Sequence, residues 1–273
     1  MTKDIFNAKA AANDNGPNPD REMLRAAEQG DLDKAKYWLK EGANVDARAV
    51  NADTPLILAA RQGHDEVVKY LISRKAKPAD VTLTNNEGQT ALHVAARDAA
   101  TPIALRLIEA GSPPDARDND GATAIFYAAQ TGNDTLIDKL AEASADIDLP
   151  DNRLTTPLMQ AVKFVQTKAA AALLDRGATI DAQDVDGMSA LMHAASVGNN
   201  LLTGALVASH AHIECRNKAG QTAIDIAHAR DNPGLASLME RALKERYDAF
   251  HLGTGSSVTT MRPLTLKSPG ETP

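Results

Sequence analysis

Apolar and small residues return along this chain as one short phrase: a large apolar residue, two or three small ones centred on Ala-Ala, then a turn residue. The first strong apolar position of each phrase falls at Met23, Leu56, Leu92, Ile125, Leu158, Leu191 and Ile224, in steps of 33, 36, 33, 33, 33 and 33 residues. Within a phrase, Leu191, Ala194 and Ala195 stand at i, i+3 and i+4, which predicts one face of a short helix. A second amphipathic segment follows: Val67, Val68, Leu71 and Ile72 in the second unit, Ile103, Ala104, Leu107 and Ile108 in the third, and Leu136, Ile137, Leu140 and Ala141 in the fourth. Ser189, with Thr54, Thr90, Thr123, Thr156 and Thr222 at the same position, reads as an N-cap, and Pro55 and Pro157 occupy the first helical position that proline favours. Gly42, Gly111 and Gly177 close the second helix. Each unit is therefore turn, short helix, turn, longer helix and loop. A fixed period of this length predicts an all-α solenoid over residues 20–250, in which seven units, end caps included, bury their apolar faces only by stacking.

The departures from the pattern matter as much as the pattern. Arg21-Glu22-Met23-Leu24 lacks the capped start and reads as an N-terminal cap unit with a polar outer face. The one long step implies an enlarged loop from Lys75 to Asn86. Ala99 and Val165 replace the glycine between the two helices, and Leu154 replaces the turn glycine, so the fifth unit is expected to be strained, and it and the third-unit insertion mark the units expected to open first. The apolar stripe of the last helix runs on through Leu243 to Tyr247 and Phe250, predicting a lengthened C-terminal cap. Residues 1–19 and 251–273 lack a helical period, read as disordered tails and are expected to add nothing to stability. Within them only Met261-Arg262-Pro263-Leu264-Thr265-Leu266 is apolar enough to dock on the repeats.

The bulk composition narrows the function classes. Hydrophobic residues make up 43% and aromatics only 3%, which suits thin, closely packed helices rather than a large core of rings. A net charge of −7 argues against a nucleic-acid surface. The single cysteine, Cys215, allows no internal disulfide and fits a reducing compartment. No apolar run suggests a secretory leader or a membrane span, so the expectation is a cytoplasmic monomer.

Thr54-Pro55-Leu56-Ile57-Leu58-Ala59-Ala60 and Thr90-Ala91-Leu92-His93-Val94-Ala95-Ala96 resemble the ankyrin repeat, as do Gly42-Ala43-Asn44-Val45-Asp46-Ala47 and Gly177-Ala178-Thr179-Ile180-Asp181-Ala182. The resemblance implies L-shaped helix pairs with projecting β-hairpin fingers, and a concave groove lined by the finger tips and by the two residues after Ala-Ala. It also implies a turn-bonding role for His93. The groove positions are polar in most units, as at Arg61 and Gln62, Arg97 and Asp98, and Gln130 and Thr131. The fifth and sixth units break the habit with Lys163 and Phe164, then Ser196 and Val197, and with Val185 and Met188 on the finger between them. An aromatic flanked by aliphatics inside a polar surround reads as an interface hot spot. The bland alternative is that Phe164 turns inward to fill space beside Val165.

No catalytic, cofactor or metal motif emerges. There is no Gly-x-x-x-x-Gly-Lys-Ser/Thr loop and no His-Glu-x-x-His. His210, His212 and Cys215 lie close in sequence, but Cys215 stands where other units place Ala47, Ala116 and Ala182, a small packed position. His193 falls one place after the motif histidine, on the expected buried side of its helix. Asp46, Asp115, Asp148 and Asp181, with Glu214, form one carboxylate row, and Asp118, Asp151 and Asp184 form another. Both read as solvated ladders along the fingers that would favour a partner with a basic patch. The functional expectation is a non-catalytic scaffold, adaptor or inhibitor that holds another protein in its groove. Two alternatives stand beside it: a secreted bacterial effector, and an enzyme or small-ligand protein with a groove site.

Overall fold

The computed structural model describes residues 17–75 and 77–251. Its helices divide between two compact units, with the boundary between Asn152 and Arg153. The first holds α1 (Pro19–Gln29), α2 (Leu32–Lys40), α3 (Pro55–Arg61), α4 (Asp65–Ile72), α5 (Ala91–Arg97), α6 (Thr101–Glu109), α7 (Ala124–Thr131) and α8 (Asp134–Glu142). The second holds α9 (Pro157–Lys163), α10 (Thr167–Asp175), α11 (Ala190–Val197), α12 (Asn200–Ala208), α13 (Ala223–Ala229) and α14 (Pro233–His251). In the first unit, α1, α3, α5 and α7 stack in sequence as an inner layer, and α2, α4, α6 and α8 as an outer one. In the second, α9, α11 and α13 form the inner layer and α10, α12 and α14 the outer. Residues 1–16 and 252–273, which include the Met261–Leu266 stretch, lie outside the described residues.

The inner helices begin where a hydroxyl meets a free amide. Thr54 accepts from the Ile57 amide at 3.2 Å, Thr156 from Met159 at 3.3 Å and Ser189 from Met192 at 3.4 Å. Their apolar faces are sealed, and the Ala-Ala pairs Ala59–Ala60, Ala95–Ala96, Ala128–Ala129 and Ala194–Ala195 are all 0% exposed. Small side chains at this seam let neighbouring inner helices approach closely. The first unit is capped by Asn18, whose side chain accepts from Asp20 and Arg21, with Pro19 as the first helical residue.

Every described residue with a left-handed backbone belongs to one of three rows. Between inner and outer helices stand Gly30, Gly63, Ala99, Gly132, Val165, Gly198 and Asp231; after the outer helices, Gly42, Gly111, Ser144, Gly177 and His210; at the finger tips, Ala52, Gly88, Gly121, Leu154, Gly187 and Gly220. Leu154 and Val165, read as strained replacements, adopt φ of +58° and +59°. Val165 is β-branched, which makes this conformation costly. Both side chains are about half exposed, so neither offsets the strain with burial. Leu154→Gly and Val165→Gly are each expected to stabilise the protein by about 1 kcal/mol. Chemical denaturation followed by circular dichroism checks this, and a destabilised variant would show that the side chains pack more than their exposure implies.

The three extra residues of the long step have a definite location. In the other units the residue after the outer helix donates its amide to a carbonyl five residues back, as in Ser112 to Leu107 and Ala178 to Leu173. Ala79 makes the corresponding bond to Leu71, eight residues back, at 2.9 Å. The insertion is thus absorbed before Ala79, and the finger that follows is regular. At the other end α14 runs 19 residues. Leu235, Ala236 and Met239 are fully buried, and Arg246 donates to the carbonyls of Val207 and Ala211 at 2.6 and 2.8 Å, capping the end of α12.

Candidate functional site

The fingers are closed turns; among the described residues they form no strand. Asp118 shows how they are made: its amide donates to the Ala122 carbonyl at 3.0 Å, and its Oδ1 accepts from the Asp120 and Ala122 amides. Asn85, Asp184 and Asn217 repeat the arrangement. Successive fingers are joined by one backbone bond each, such as Asn119 to Glu87 at 3.0 Å and Lys218 to Asp186 at 3.0 Å.

This changes the reading of the carboxylate rows as solvated ladders. Asp118 and Asp184 are buried, because each organises its own turn with one oxygen and binds a helix side chain with the other. Asp118 Oδ2 accepts from the Tyr127 hydroxyl at 2.6 Å, and Asp184 Oδ2 meets His193 Nε2 at 2.9 Å. Burial raises the Asp184 pKa, but hydrogen bonds from the Met188 amide, His193 and the Asp186 amide outweigh it and hold the group below the usual carboxylate range. In the other row, Asp46, Asp115 and Asp181 accept the amides of Asp80, Asp146 and His212 in the following loop, at 2.8–3.0 Å. These aspartates are stitching within and between repeats.

The predicted site residues of the first unit sit in a polar network. Arg61 holds Asp53, which is 0% exposed, through both guanidinium ends, with Nη2 to Oδ1 at 2.9 Å. Asn85 donates to the same carboxylate at 3.0 Å, and Gln62 is exposed beside it. Arg97 donates to Gln89 at 2.9 Å, and Gln89 donates to Tyr127. Burial, then the hydrogen bond to Asp118, pushes the Tyr127 pKa well above its ordinary value, so this hydroxyl stays protonated. The network supplies oriented donors along the inner face.

The second unit separates its predicted residues. Val185 and Met188 are half-buried on the finger before α11. Met188 lines a shallow depression with Ser196, Asn217, Gln221, Ile226 and Arg230. Phe164 and Val197 lie at the opposite ends of the inner helices, 48% and 44% exposed, and Lys163 is exposed beside Phe164. Phe164 therefore does not fill the space beside Val165. The position it occupies is polar in the other repeats except at Val197: Gln29, Gln62, Asp98, Thr131 and Arg230. Val165 at 46% and Leu201 at 52% are exposed aliphatics in the turn after α9 and in the first turn of α12. Leu201 was invisible to the groove rule because it opens an outer helix.

His93 is 1% exposed and joins two parts of the fold. Its Nδ1 faces the Thr90 amide and hydroxyl, and its Nε2 meets the carbonyls of Ala116 and Ala122 in the next finger at 2.9 and 3.2 Å. His193 is less buried than its sequence position suggested, because it turns toward Asp184. Cys215 Sγ lies 3.7 Å from His212 Nδ1, and burial, then Asp181, raises the thiol pKa. Among the described residues no group of three or more His, Cys, Asp or Glu is arranged to hold a metal ion. No described helix is long and apolar enough to cross a membrane.

The sequence model of the family described as ankyrin repeats matches residues 23–118 and again 95–184. Alpha-latroinsectotoxin-Lt1a of Latrodectus tredecimguttatus is 36% identical over 81 residues, which are 30% of this chain. The chain spans 6% of that toxin's length. The solved human ASB11 ankyrin repeat domain aligns with a TM-score of 0.70 at 25% identity, covering 80% of this chain and 96% of that one. With the repeat, the stacked helix pairs and a family match across more than half of its length, the chain belongs to the ankyrin repeat family, whose domains mediate protein–protein interactions.

Proposed function

We propose that this protein is a non-catalytic recognition module that holds a partner protein on the exposed inner faces of its repeats. The observation that carries the reading is the row Gln29, Gln62, Asp98, Thr131, Phe164, Val197, Arg230, where two adjacent members are apolar and nearly half exposed. A large side chain kept in water at a position that is otherwise polar, on a scaffold with sealed seams, contributes nothing to folding and is what a binding anchor requires. Val185 and Met188 on the finger supply flanking contacts in the second unit, and Arg61, Gln62 and Arg97 offer polar contacts within the first. The arginines are held in place by Asp53 and Gln89, which lowers the ordering cost of using them.

The test is quantitative capture. The tagged full chain is used to retrieve partners from its native host, and each is re-measured as a purified pair by calorimetry. A specific partner should bind wild type and lose at least about tenfold in affinity to a Met188→Asp, Gln62→Glu double variant, whose exposed Gln62 holds no buried group, with an unchanged melting profile. A partner indifferent to both the inner-face changes and Phe164→Asp would refute the reading. Turnover of a small molecule, abolished by the same double variant, would replace it with a catalytic one.

A further inference from the structure

The apolar surface of the second unit is not confined to the inner face. Phe164 caps the end of α9, Val165 makes the turn into α10, Val197 ends α11, and Leu201 lies in the first turn of α12. Since α9 stacks on α11 and α10 on α12, these four residues share one edge, where the inner and outer helices of adjacent pairs meet. They form a ridge at the far end of the helices from the fingers, and each is 44–52% exposed.

Two further observations mark this ridge. The first is strain: in the row of inter-helix turns, the neighbour of Val165 is Gly198, and Val165 alone is β-branched at positive φ. A costly conformation that places a valine in water brings no folding benefit, and such outliers gather at working surfaces. The second is charge. Lys163, Lys168 and Arg230 flank the ridge and are exposed. Neither α10 nor α12 carries an acidic residue in its first turn, so the partial positive ends of both helices point at the same edge uncompensated. Asp231 is the acidic exception. Residues 153–251 contain ten Lys and Arg against ten Asp and Glu, so the excess negative charge of the chain does not reside here. At physiological salt, charges within about 8 Å set the local potential.

We propose that the ridge of Phe164, Val165, Val197 and Leu201 is a docking surface for a short partner segment carrying two large apolar side chains flanked by acidic residues. The apolar pair covers the ridge and the acids face Lys163, Lys168 and Arg230. The inference rests on the recognition reading above and adds to it both a place, the inter-helix edge, and a partner chemistry. Among possible occupants, the chain's own 261–266 stretch matches less well, because its apolar residues are flanked by Arg262 and Lys267.

The experiment is selection of a random peptide library on the immobilised full chain, followed by affinity measurement on wild type, Leu201→Ser and Val165→Gly. Enriched peptides should pair two bulky apolar residues with flanking Asp or Glu, and should bind Leu201→Ser at least about tenfold more weakly. The Val165→Gly readout is the discriminating one: that variant should melt higher than wild type and yet bind the peptides more weakly, which a purely structural role for the ridge would not produce. Peptides with basic flanks, peptides that bind both variants like wild type, or no enrichment would each overturn the proposal. So would a dimer lost on Leu201→Ser, which assigns the ridge to a second copy, or tighter peptide binding after deletion of 252–273, which assigns it to the tail. If a captured partner is sensitive to Met188→Asp and Gln62→Glu but not to Leu201→Ser, the recognition reading stands and the ridge inference alone falls.

Discussion

Replacing His93 by alanine is expected to lower stability by about 3 kcal/mol, with exchange of backbone amides accelerated first in α5 and the following finger. The magnitude follows from what the ring holds. Its loss leaves the Thr90 amide and the Ala116 carbonyl without their partner in a region closed to water, takes from the Ala122 carbonyl one of its two donors, and opens a cavity. Hydrogen exchange is the apt measurement, because in a repeat protein local opening resolves what a single melt averages. The network also selects the neutral ring with its proton on Nε2, donating to the two carbonyls while Nδ1 accepts. Burial pushes the His93 pKa below its ordinary 6.5, with Asp118 and the two carbonyls pulling weakly the other way. In the unfolded chain the ring takes up a proton near 6.5, while in the folded protein it resists until a lower pH. Stability therefore falls as pH drops below about 6.5. His193, also lowered chiefly by burial, adds a slope of the same sign. His93→Gln should flatten the pH dependence of the melt between about pH 6.5 and 5 without removing it; an unchanged slope would mean that His93 is not held neutral.

Phe164→Asp is expected to cost about 2 kcal/mol or more of partner affinity, roughly 30-fold, and to leave the melting temperature within a few degrees of wild type. The separation of the two effects comes from position. Phe164 follows the last residue of α9, its amide bonds to Gln160, and its ring is 48% exposed, so little packing is lost. A charge placed there disrupts an apolar contact in the complex, while in the free protein it meets only the partial negative end of α9, at a cost of about 0.5 kcal/mol. A variant that unfolds would show that the ring is part of the core, and one that binds as tightly as wild type would move the anchor elsewhere on the inner face.

The architecture was legible in the sequence because it repeats. A period of 33 residues, a hydroxyl before each inner helix and an Ala-Ala seam are each local, and their recurrence specifies neighbours that can only stack. The same comparison across repeats exposed Leu154 and Val165 as residues forced into a conformation suited to glycine, since a backbone position keeps its geometry whatever residue occupies it. It also singled out Phe164 and Val197, because a row that is otherwise polar makes an apolar member visible. Ala52, Ser144, His210 and Asp231 share the left-handed conformation and passed unnoticed, being small or polar residues that raise no alarm in a turn.

What the tertiary structure decided are relations between residues far apart in sequence. A carboxylate row looks the same on paper whether it is solvated or buried; only stacking brings Tyr127 and His193 onto Asp118 and Asp184 and turns the row into stitching. Arg246 closing the end of α12 joins residues 35 and 39 apart through bonds that no local pattern announces. Leu201 joins Phe164, Val165 and Val197 only because two helix pairs end at one edge, and the finger residues Val185 and Met188 leave that group for the same reason. Repetition encodes the unit and its neighbour contacts locally, so sequence alone determines them. The chemistry of a surface depends on which side chains from successive units meet, and that is set by packing.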